Sequence, residues 1–584
     1  MKFSTFSFAE NKRLTSALLI LLLFVAACLR FYKIGDHGLA GDEKYSMYVS
    51  QFVVIEGGKE PNSIRNARYF TPEQFWDDVK PYHFFESIAR LDTGNGAFYT
   101  LSLRLWMNVF GKSDAAARSL SAVFNLATIL LLFYFVRDFF KNTSLALLVT
   151  FLSVISPFFI VFSQVARNYA MLFFFSLAAT HLLLKVVEYF RSGKSIVLPG
   201  ILYGICSLIC LLCHISTAVL FVAHGLFILS YFRKPKLIIM LLVSALIPVI
   251  GMTLWLTSEG GKWMLEYVAN SVKTYNYLAK NNPEEFLKVA TPVNVFEQMQ
   301  YVTSCLFISA EGLYRELIGT KNFLFALIAG IGLIVSDLFV KSTRVQLIIS
   351  VCTLTGAYFL FSVNGWMFLI LTGNVFLLYL LFKTTVKGNG YSELKPLQLI
   401  TFIVVVGLVS LVAFAFTDGN TFRLMPRYVG YLYAFALILV AIAAYFLFQN
   451  RVINYWWLLV IGCFQLVSIT SLVREIYQDI APRYFMQFYE VRNENPYYSV
   501  ANTIVDKTIK SDTIVYPSFS QNLYGGKDEA AYSIADAQLI NIYLPKKSEI
   551  TQRIDRSEPN KVILKHADGT SEILFDFEGT KYRY

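Results

Sequence analysis

The sequence predicts a polytopic α-helical membrane protein of about 13 transmembrane helices, with a small C-terminal α/β domain outside the membrane. Of its 584 residues, 56% are hydrophobic and only 16% are charged, whereas soluble domains carry about 25% charged residues. Apolar runs long enough to cross a ~30 Å hydrocarbon core recur along most of the chain. The 52 Phe and 35 Tyr suit lipid-facing surfaces and interfacial belts. This composition excludes one large soluble enzyme.

The net charge of +11 does not indicate a nucleic-acid partner. Much of the Lys and Arg lies in short loops between apolar runs, where positive charge orients a membrane protein. The seven cysteines lie in apolar surroundings and predict no disulfide framework.

The first apolar run, 14–31, follows Lys12 and Arg13 and predicts an uncleaved signal anchor whose N-terminus is cytoplasmic. The outer loop that follows, 33–113, is too polar to span a membrane. Within it, the amphipathic, aromatic stretch 95–111 predicts a helix lying in the membrane interface.

Twelve further spans complete a predicted transmembrane module of residues 1–472, with a second long outer loop at 258–320. Every short loop placed on the cytoplasmic side carries at least one Lys or Arg, which supports this topology. The predicted spans are 115–136, 143–162, 169–190, 197–213, 215–232, 237–257, 322–340, 345–363, 365–382, 397–417, 428–448 and 453–472.

The tail, 473–584, is polar and predicts a small α/β domain on the outer side. A helix is predicted at 498–510, and strand-like runs lie at 512–518, 537–545 and 561–577. The last run contains Asp-Gly between apolar residues, which indicates a β-hairpin.

On this topology the outer face collects polar residues next to the spans. Ionisable groups near bilayer depth are costly and are usually kept for a function. Guanidinium groups match phosphate oxygens, and a partly screened carboxylate suits a general base. The candidate residues are Asp42, Glu43, Asp92, Asn95, Arg118, Arg167, Tyr169, His214, Arg423 and Arg427.

Structural interpretations compete with these roles. Arg118 and Arg427 could be interfacial anchors, and Asp42 and Glu43 could neutralise nearby arginines. His214, at a predicted hairpin turn, is more typical of a helix cap, and Asp92 lies in a polar loop that faces solvent by default. Arg423 and Arg427 are four residues apart and are predicted to share a helical face.

Four stretches carry a resemblance to a known family: "GDEKYSMYV", "GNGAFYTLSLRLWMNVFGKSDAAARSLSAVFNL", "SPFFIVFSQVARNYAMLFFF" and "PRYVGYLYAFAL". They resemble the polyprenyl-phosphate-dependent glycosyltransferases of the GT-C superfamily. The chain looks most like the branch of protein O-mannosyltransferases and lipid A aminoarabinose transferases, over residues 10–235 and again near 420–450.

The resemblance implies an inverting transfer from a sugar donor carried on a polyprenyl phosphate. The position matching Asp42 would be the general base, and those matching Arg167 and Arg427 would hold the departing phosphate. Glu43 would orient the loop or help to bind a divalent metal ion, so metal dependence stays open.

The chain departs from the family at two places. Relatives commonly carry His-Pro-Pro or Lys-Pro-Pro where this chain has Asn95-Gly96-Ala97, so a metal or phosphate contact is absent or supplied by Asp92 and Asn95. The aminoarabinose transferases carry an acid where this chain has Tyr169, which argues against lipid A modification by their chemistry.

Other functions remain as alternatives: a transporter or lipid flippase, an O-antigen ligase-like transferase, or a membrane scaffold. Clean spans with polar groups clustered at one face favour the transferase. The expected setting is a bacterial inner membrane, and the expected acceptor is a hydroxyl of an envelope glycan, glycolipid or protein. Loop 258–320 and the tail are predicted to shape acceptor choice.

Overall fold

The structure is a computed structural model. It describes residues 11–36, 38–39, 41–55, 69–91, 96–284, 286–307, 320–360, 372, 375–376, 379, 395–449, 466, 469–478, 495–520 and 532–578. Asp92 and Asn95 lie outside these residues, as do most of the predicted tenth and thirteenth spans.

Helices dominate the first half of the described chain. They are α1 (Lys12–Phe31), α2 (Gly41–Gln51), α3 (Pro72–Asp77), α4 (His83–Leu91), α5 (Ala97–Phe110), α6 (Asp114–Phe140), α7 (Thr143–Ile155), α8 (Pro157–Ser163), α9 (Tyr169–Arg191), α10 (Val197–Cys213), α11 (Ala218–Tyr231) and α12 (Pro235–Thr257).

The second half continues with helices and ends in a mixed domain. These helices are α13 (Glu259–Asn281), α14 (Pro292–Phe307), α15 (Thr320–Phe339), α16 (Thr343–Leu360), α17 (Lys395–Asp418), α18 (Tyr433–Gln449), α19 (Pro496–Lys507) and α20 (Ala535–Tyr543). Short 3₁₀ segments, Ile215–Thr217 and Pro426–Leu432, precede α11 and α18.

Six helices of the described chain are long and apolar enough to cross a membrane, and the pair α7–α8 makes a seventh if it is one span. Only 17% of the apolar window of α12 is buried, so most of that helix presents hydrocarbon to its surroundings. The chain is therefore a multi-pass membrane protein, and the figure of 13 spans stays a prediction.

The predicted third span is bent by 58° between α7 and α8. Pro157 cannot continue the hydrogen-bond ladder of α7, and Ser156 caps the new helix by accepting from Phe159 N at 3.3 Å. The freed carbonyls of Ser153 and Val154 accept hydrogen bonds of 2.9 Å from the buried side chain of Arg30. An arginine of α1 thus stabilises the bend.

The C-terminal domain is a four-stranded sheet in the order β4-β1-β5-β6, with helices α19 and α20. Strands β1 (Thr513–Pro517) and β4 (Thr551–Asp555) are parallel, because α20 crosses between them. Strands β5 (Lys561–Lys565) and β6 (Ser571–Asp576) form the predicted antiparallel hairpin. A second, two-stranded sheet pairs β2 (Phe519–Ser520) with β3 (Tyr532–Ser533).

One predicted strand is wrong. Residues 537–545 were expected to be extended, but most of them lie in α20, which is buried from Ala535 to Ile542. A short apolar run has the same pattern in a buried strand and in a helix buried on all sides. Strand β4 was not predicted, because its inward-facing Gln552 is polar and breaks the apolar alternation of a strand. The side chain of Gln552 instead forms hydrogen bonds of 2.8 and 3.1 Å with Asn541 of α20.

The C-terminal domain packs against the first loop rather than standing apart. Tyr48 of α2 donates a hydrogen bond to Ala535 O at 2.8 Å, and Gln538 donates one to Val54 O at 2.9 Å. Phe70 pairs with Gln552 of β4 through two backbone hydrogen bonds of 2.9 and 2.8 Å. The domain is therefore fixed to the loop that carries α2.

The close packing of α10 against α12 depends on Gly204. A Cβ there would lie 2.5 Å from the carbonyl oxygen of Ser244 and 2.8 Å from Ile247 Cδ1. We expect Gly204→Ala to lower the free energy of unfolding by about 1–3 kcal/mol, the usual cost of overpacking. Thermal unfolding of the purified protein in detergent measures this loss.

Gly225 of α11 provides the matched control, because a Cβ there would meet no atom within 4 Å. Gly225→Ala should leave stability unchanged or slightly higher, since Ala is the better helix former. Equal losses in the two variants would contradict the close approach at Gly204.

Candidate active site

A cavity of about 550 Å³ lies where distant segments of the membrane domain meet. Its walls come from α2, the turn after α8 with the start of α9, the turn at 214–216 with the start of α11, α13, the C-terminal half of α17 and the segment 420–431. The charged side chains that line it are Asp42, Arg167, Asp418, Arg423 and Arg427.

Asp42 enters the cavity from the first turn of α2. Its Oδ2 lies 3.6 Å from Arg427 Nη1, and its side chain is 30% exposed. Consecutive residues of a helix point about 100° apart, so Asp42 faces the cavity while Glu43 faces the protein interior. The carboxylate pair of the sequence is therefore divided between two environments.

Glu43 and Arg118 form a fully buried, bidentate ion pair. Arg118 Nε lies 2.8 Å from Glu43 Oε1, and Nη2 lies 2.9 Å from Oε2. The guanidinium also donates to the carbonyls of Ile34 and Gly38, at 3.0 and 2.8 Å. Glu43 Oε1 additionally accepts from Ala166 N at 2.8 Å.

This pair corrects the predicted placement of both residues. Arg118 was grouped with the phosphate-binding arginines and Glu43 with the catalytic acids, but neither lines the cavity. Arg118 is 1% exposed and Glu43 is not exposed at all. Glu43 neutralises the charge of Arg118, which is the structural alternative that the sequence left open for it.

Arg167 reaches the cavity from the turn between α8 and α9. Its Nη1 donates to Asp42 O at 3.1 Å and to Ser46 Oγ at 3.4 Å, so the turn is joined to α2. Gln164 of the same turn donates to the carbonyls of Arg30 and Tyr32, at 3.2 and 2.9 Å. The hydrogen bonds of the "SQVARNY" stretch therefore fix this turn and place the guanidinium of Arg167 beside Asp42.

Arg427 and Arg423 share the cavity but not a helical face, which corrects that prediction. The residues between them form turns, and Pro426 begins a 3₁₀ segment. Arg423 Nε lies 3.0 Å from Asp418 Oδ2, so its charge is offset within the cavity wall. Arg427 Nε is buried without a hydrogen-bond partner in the described part of the chain.

Helix α13 supplies a wall of the cavity from residues that the sequence analysis placed in the long outer loop, without predicting a helix there. Tyr275 stacks on Phe422 with ring centroids 3.7 Å apart, and Asn276 accepts from Asn420 Nδ2 at 2.8 Å. Tyr267 and Ser271 of the same helix also line the cavity. The aromatic run in "KTYNYL" was the available signal, and it lies in the long loop expected to shape acceptor choice.

His214 and Tyr169 both line the cavity. His214 Nδ1 faces Ser216, at 3.2 Å from its N and 2.8 Å from its Oγ, so the residue also has the expected capping role. Burial, followed by the charges of Arg167 and Arg427, lowers the pKa of His214 to about 4. Its imidazole is therefore neutral at physiological pH.

No group of three His, Cys, Asp or Glu side chains that could hold a metal ion occurs among the described residues. Asp92 and Asn95, the predicted metal-side candidates, are not among those residues. The described cavity therefore does not match a metal site built from three such side chains.

No protein-family model and no curated protein matches the chain. Among solved structures, the archaeal oligosaccharyltransferase AglB from Archaeoglobus fulgidus, in complex with an inhibitory peptide and a dolichol-phosphate, aligns with a TM-score of 0.43 and 13% identity. The alignment covers 86% of this chain and 59% of AglB, so the chain spans less than two thirds of that protein's length.

ArnT from Cupriavidus metallidurans is a second neighbour, with a TM-score of 0.30 and 12% identity over 74% of this chain and 78% of ArnT. The form bound to undecaprenyl phosphate aligns with a TM-score of 0.29. These are distant likenesses, so the function has to be argued from this chain's own residues.

The Glu43–Arg118 pair generates a stability prediction. Glu43→Gln leaves a buried guanidinium without its counter-charge, so we expect the free energy of unfolding to fall by about 3–5 kcal/mol. Glu549→Gln breaks the exposed pair with Lys510, at 2.9 Å, and should change nothing measurable. Similar melting temperatures for the two variants would contradict the structural role of the buried pair.

His214 generates a pH prediction. Because its folded pKa is below the ordinary 6.5, the unfolded chain takes up a proton first as the pH falls, and the folded state is penalised between about pH 6.5 and 4. His214→Gln removes this titration. The stability of wild type relative to His214→Gln should therefore fall between pH 7 and pH 4.5 in detergent melts, and a constant difference would contradict the assignment.

Proposed function

We propose that the chain is a membrane glycosyltransferase that moves a sugar from a polyprenyl-phosphate donor to a hydroxyl of a cell-envelope acceptor, with inversion at the anomeric carbon. The observation that carries the proposal is the convergence of Asp42, Arg167 and Arg427 from three distant segments on one cavity. A carboxylate beside two guanidinium groups supplies both charges that this chemistry needs.

Arg427 and Arg167 would bind the donor phosphate. Guanidinium groups donate in a fork that matches phosphate oxygens, and a buried donor such as Arg427 Nε favours an anionic acceptor. Arg423 contributes less, because Asp418 already offsets its charge at 3.0 Å. The phosphate carries more negative charge as it leaves, so these groups stabilise the transition state more than the bound donor.

Asp42 would act as the general base. The acceptor oxygen forms a bond to the anomeric carbon while the bond from that carbon to the phosphate oxygen breaks. The acceptor proton passes to the Asp42 carboxylate, and the electron pair leaves with the lipid phosphate. Arg427, now 3.6 Å from Asp42, would turn towards the phosphate when the donor binds and free the carboxylate for the proton.

The apolar part of the cavity suits the first isoprene units of the donor. Ala218 and Val219 of α11 line it together with Leu411 and Phe414 of α17. Both helices are apolar, so we expect the lipid chain of the donor to enter the cavity between them, sideways from the bilayer. A diffusible nucleotide-sugar carries no lipid chain that this apolar lining could bind.

The proposal places the site on the outer face of a bacterial inner membrane, with the N-terminus in the cytoplasm. It assigns acceptor recognition to α13, whose Tyr267, Ser271 and Tyr275 form a polar, aromatic wall of the cavity. Tyrosine and serine hydroxyls can bind a sugar or protein hydroxyl at low conformational cost.

Sugar transfer in membranes containing the chain tests the proposal. Radiolabelled polyprenyl-phosphate sugars are supplied with envelope extract, and wild type is compared with Asp42→Asn and Arg427→Ala. Asp42→Asn keeps the shape of the side chain and removes its basicity, so transfer should fall at least ~10²-fold. Arg427→Ala should cause a loss of similar size, since it removes a preorganised donor to the leaving anion.

Two surface variants serve as controls. Asp506→Asn, exposed on α19, and Arg137→Ala, at the far end of α6, should transfer as well as wild type. Full activity in Asp42→Asn would make that residue structural and overturn the mechanism. Movement of labelled lipid between leaflets without sugar transfer would support the flippase instead.

A further inference from the structure

A second basic cluster lies outside the cavity, around the indole ring of Trp76. Lys112 Nζ lies 4.6 Å from the centroid of this ring, and Lys546 Nζ lies 4.3 Å from it. Two ammonium groups thus share one aromatic platform, although they come from positions more than 400 residues apart. Neither lysine lines the cavity described above.

The platform is built rigidly. Helix α3 begins with a capping box between Thr71 and Gln74, and Phe75, beside Trp76, is buried. Lys112 Nζ donates to Ile542 O at 2.6 Å, which fixes its position and leaves two N–H groups for other partners. The cluster is therefore largely preorganised.

The cluster lies at the expected surface of the membrane. Lys112 falls between the end of α5 at Phe110 and the start of the apolar helix α6 at Asp114. On α5, Leu101, Leu105 and Val109 form one exposed stripe, with 40%, 68% and 75% of each residue accessible. An apolar stripe beside the start of a spanning helix is typical of a helix lying in the interface.

No ion pair offsets the charge of the cluster within the described part of the chain. Neither Lys112 nor Lys546 pairs there with a carboxylate, and the nearby Arg104 adds a further positive charge. Burial, with repulsion from Lys546 and Arg104, lowers the pKa of Lys112 to about 8. Asp77, beside Trp76, and Asp114, two residues after Lys112, form no ion pair with these cations among the residues that the structure describes.

We propose that Lys112 and Lys546, held on Trp76, bind the phosphodiester headgroup of an anionic membrane lipid. Two ammonium groups at one ring can donate to two oxygens of one phosphodiester, and the headgroup would replace the missing counter-charge. The stripe of α5 would meanwhile contact the acyl chains of the same leaflet. The site goes beyond the proposed glycosyl transfer and does not depend on it.

Lipid binding to the purified full chain in detergent tests the site. Native mass spectrometry follows titrations with phosphatidylglycerol and phosphatidylcholine, with inorganic phosphate as a separate competitor. Wild type should prefer phosphatidylglycerol. Lys112→Gln/Lys546→Gln should weaken phosphatidylglycerol binding roughly 30-fold, since one cation near an anionic surface is worth ~5-fold.

Lys510→Gln/Lys565→Gln removes two exposed cations of the same domain and should keep the preference. Lys546→Gln alone keeps the hydrogen bond of Lys112 and should lose roughly 5-fold, which separates lipid binding from misfolding. An unchanged preference in the Lys112/Lys546 double variant, or no preference in wild type, would overturn the proposal. Full competition by inorganic phosphate at millimolar concentration would also overturn it, since the site would then bind free anions rather than a lipid headgroup.

Discussion

The buried ion pair between Glu43 and Arg118 is the contact on which the cavity depends. Two charges taken out of water are stable only when every donor and acceptor is satisfied, and here Ile34, Gly38 and Ala166 complete the network. The pair fixes the first turn of α2 against α6. Because Asp42 precedes Glu43 and Arg167 follows Ala166, the same contact places the proposed base beside Arg167, one of the two arginines proposed to bind phosphate.

A second buried arginine, Arg30 of α1, stabilises the turn that carries Arg167. Arg30 binds the carbonyls that the bend at Pro157 leaves open, and Gln164 binds the carbonyl of Arg30 in turn. A straight helix through 143–162 would carry the next turn elsewhere, and Arg167 would not meet α2. The bend is thus a structural requirement of the cavity, and two polar side chains within an apolar region stabilise it.

Sequence patterns located the helices well and the roles of individual arginines poorly. Apolar length and loop charge identified α6, α9, α10 and α12 closely, because each is a long run bounded by polar residues. The flanks of Arg118 do not reveal its partner, because Glu43 lies 75 residues away in the sequence and the pair forms only when α2 packs against α6. The contact of Arg423 with Asp418 and the helix at Ala535–Tyr543 likewise depend on packing between segments that are distant in sequence.

Helix α13 and the C-terminal domain contribute differently to the cavity, because only α13 lines it. All described cavity residues belong to the membrane domain or to α13, and none comes from residues 495–578. The C-terminal domain instead lies behind α2, where Tyr48 binds Ala535 and the buried Lys44 lies 5.6 Å from the ring of Tyr497. On the proposed mechanism, a change in α20 would act on sugar transfer through the position of α2, whereas a change in α13 would alter the proposed acceptor wall itself. On the proposed mechanism, acceptor specificity depends on α13. The C-terminal domain supports α2, which carries Asp42, and fixes Lys112 through the carbonyl of Ile542.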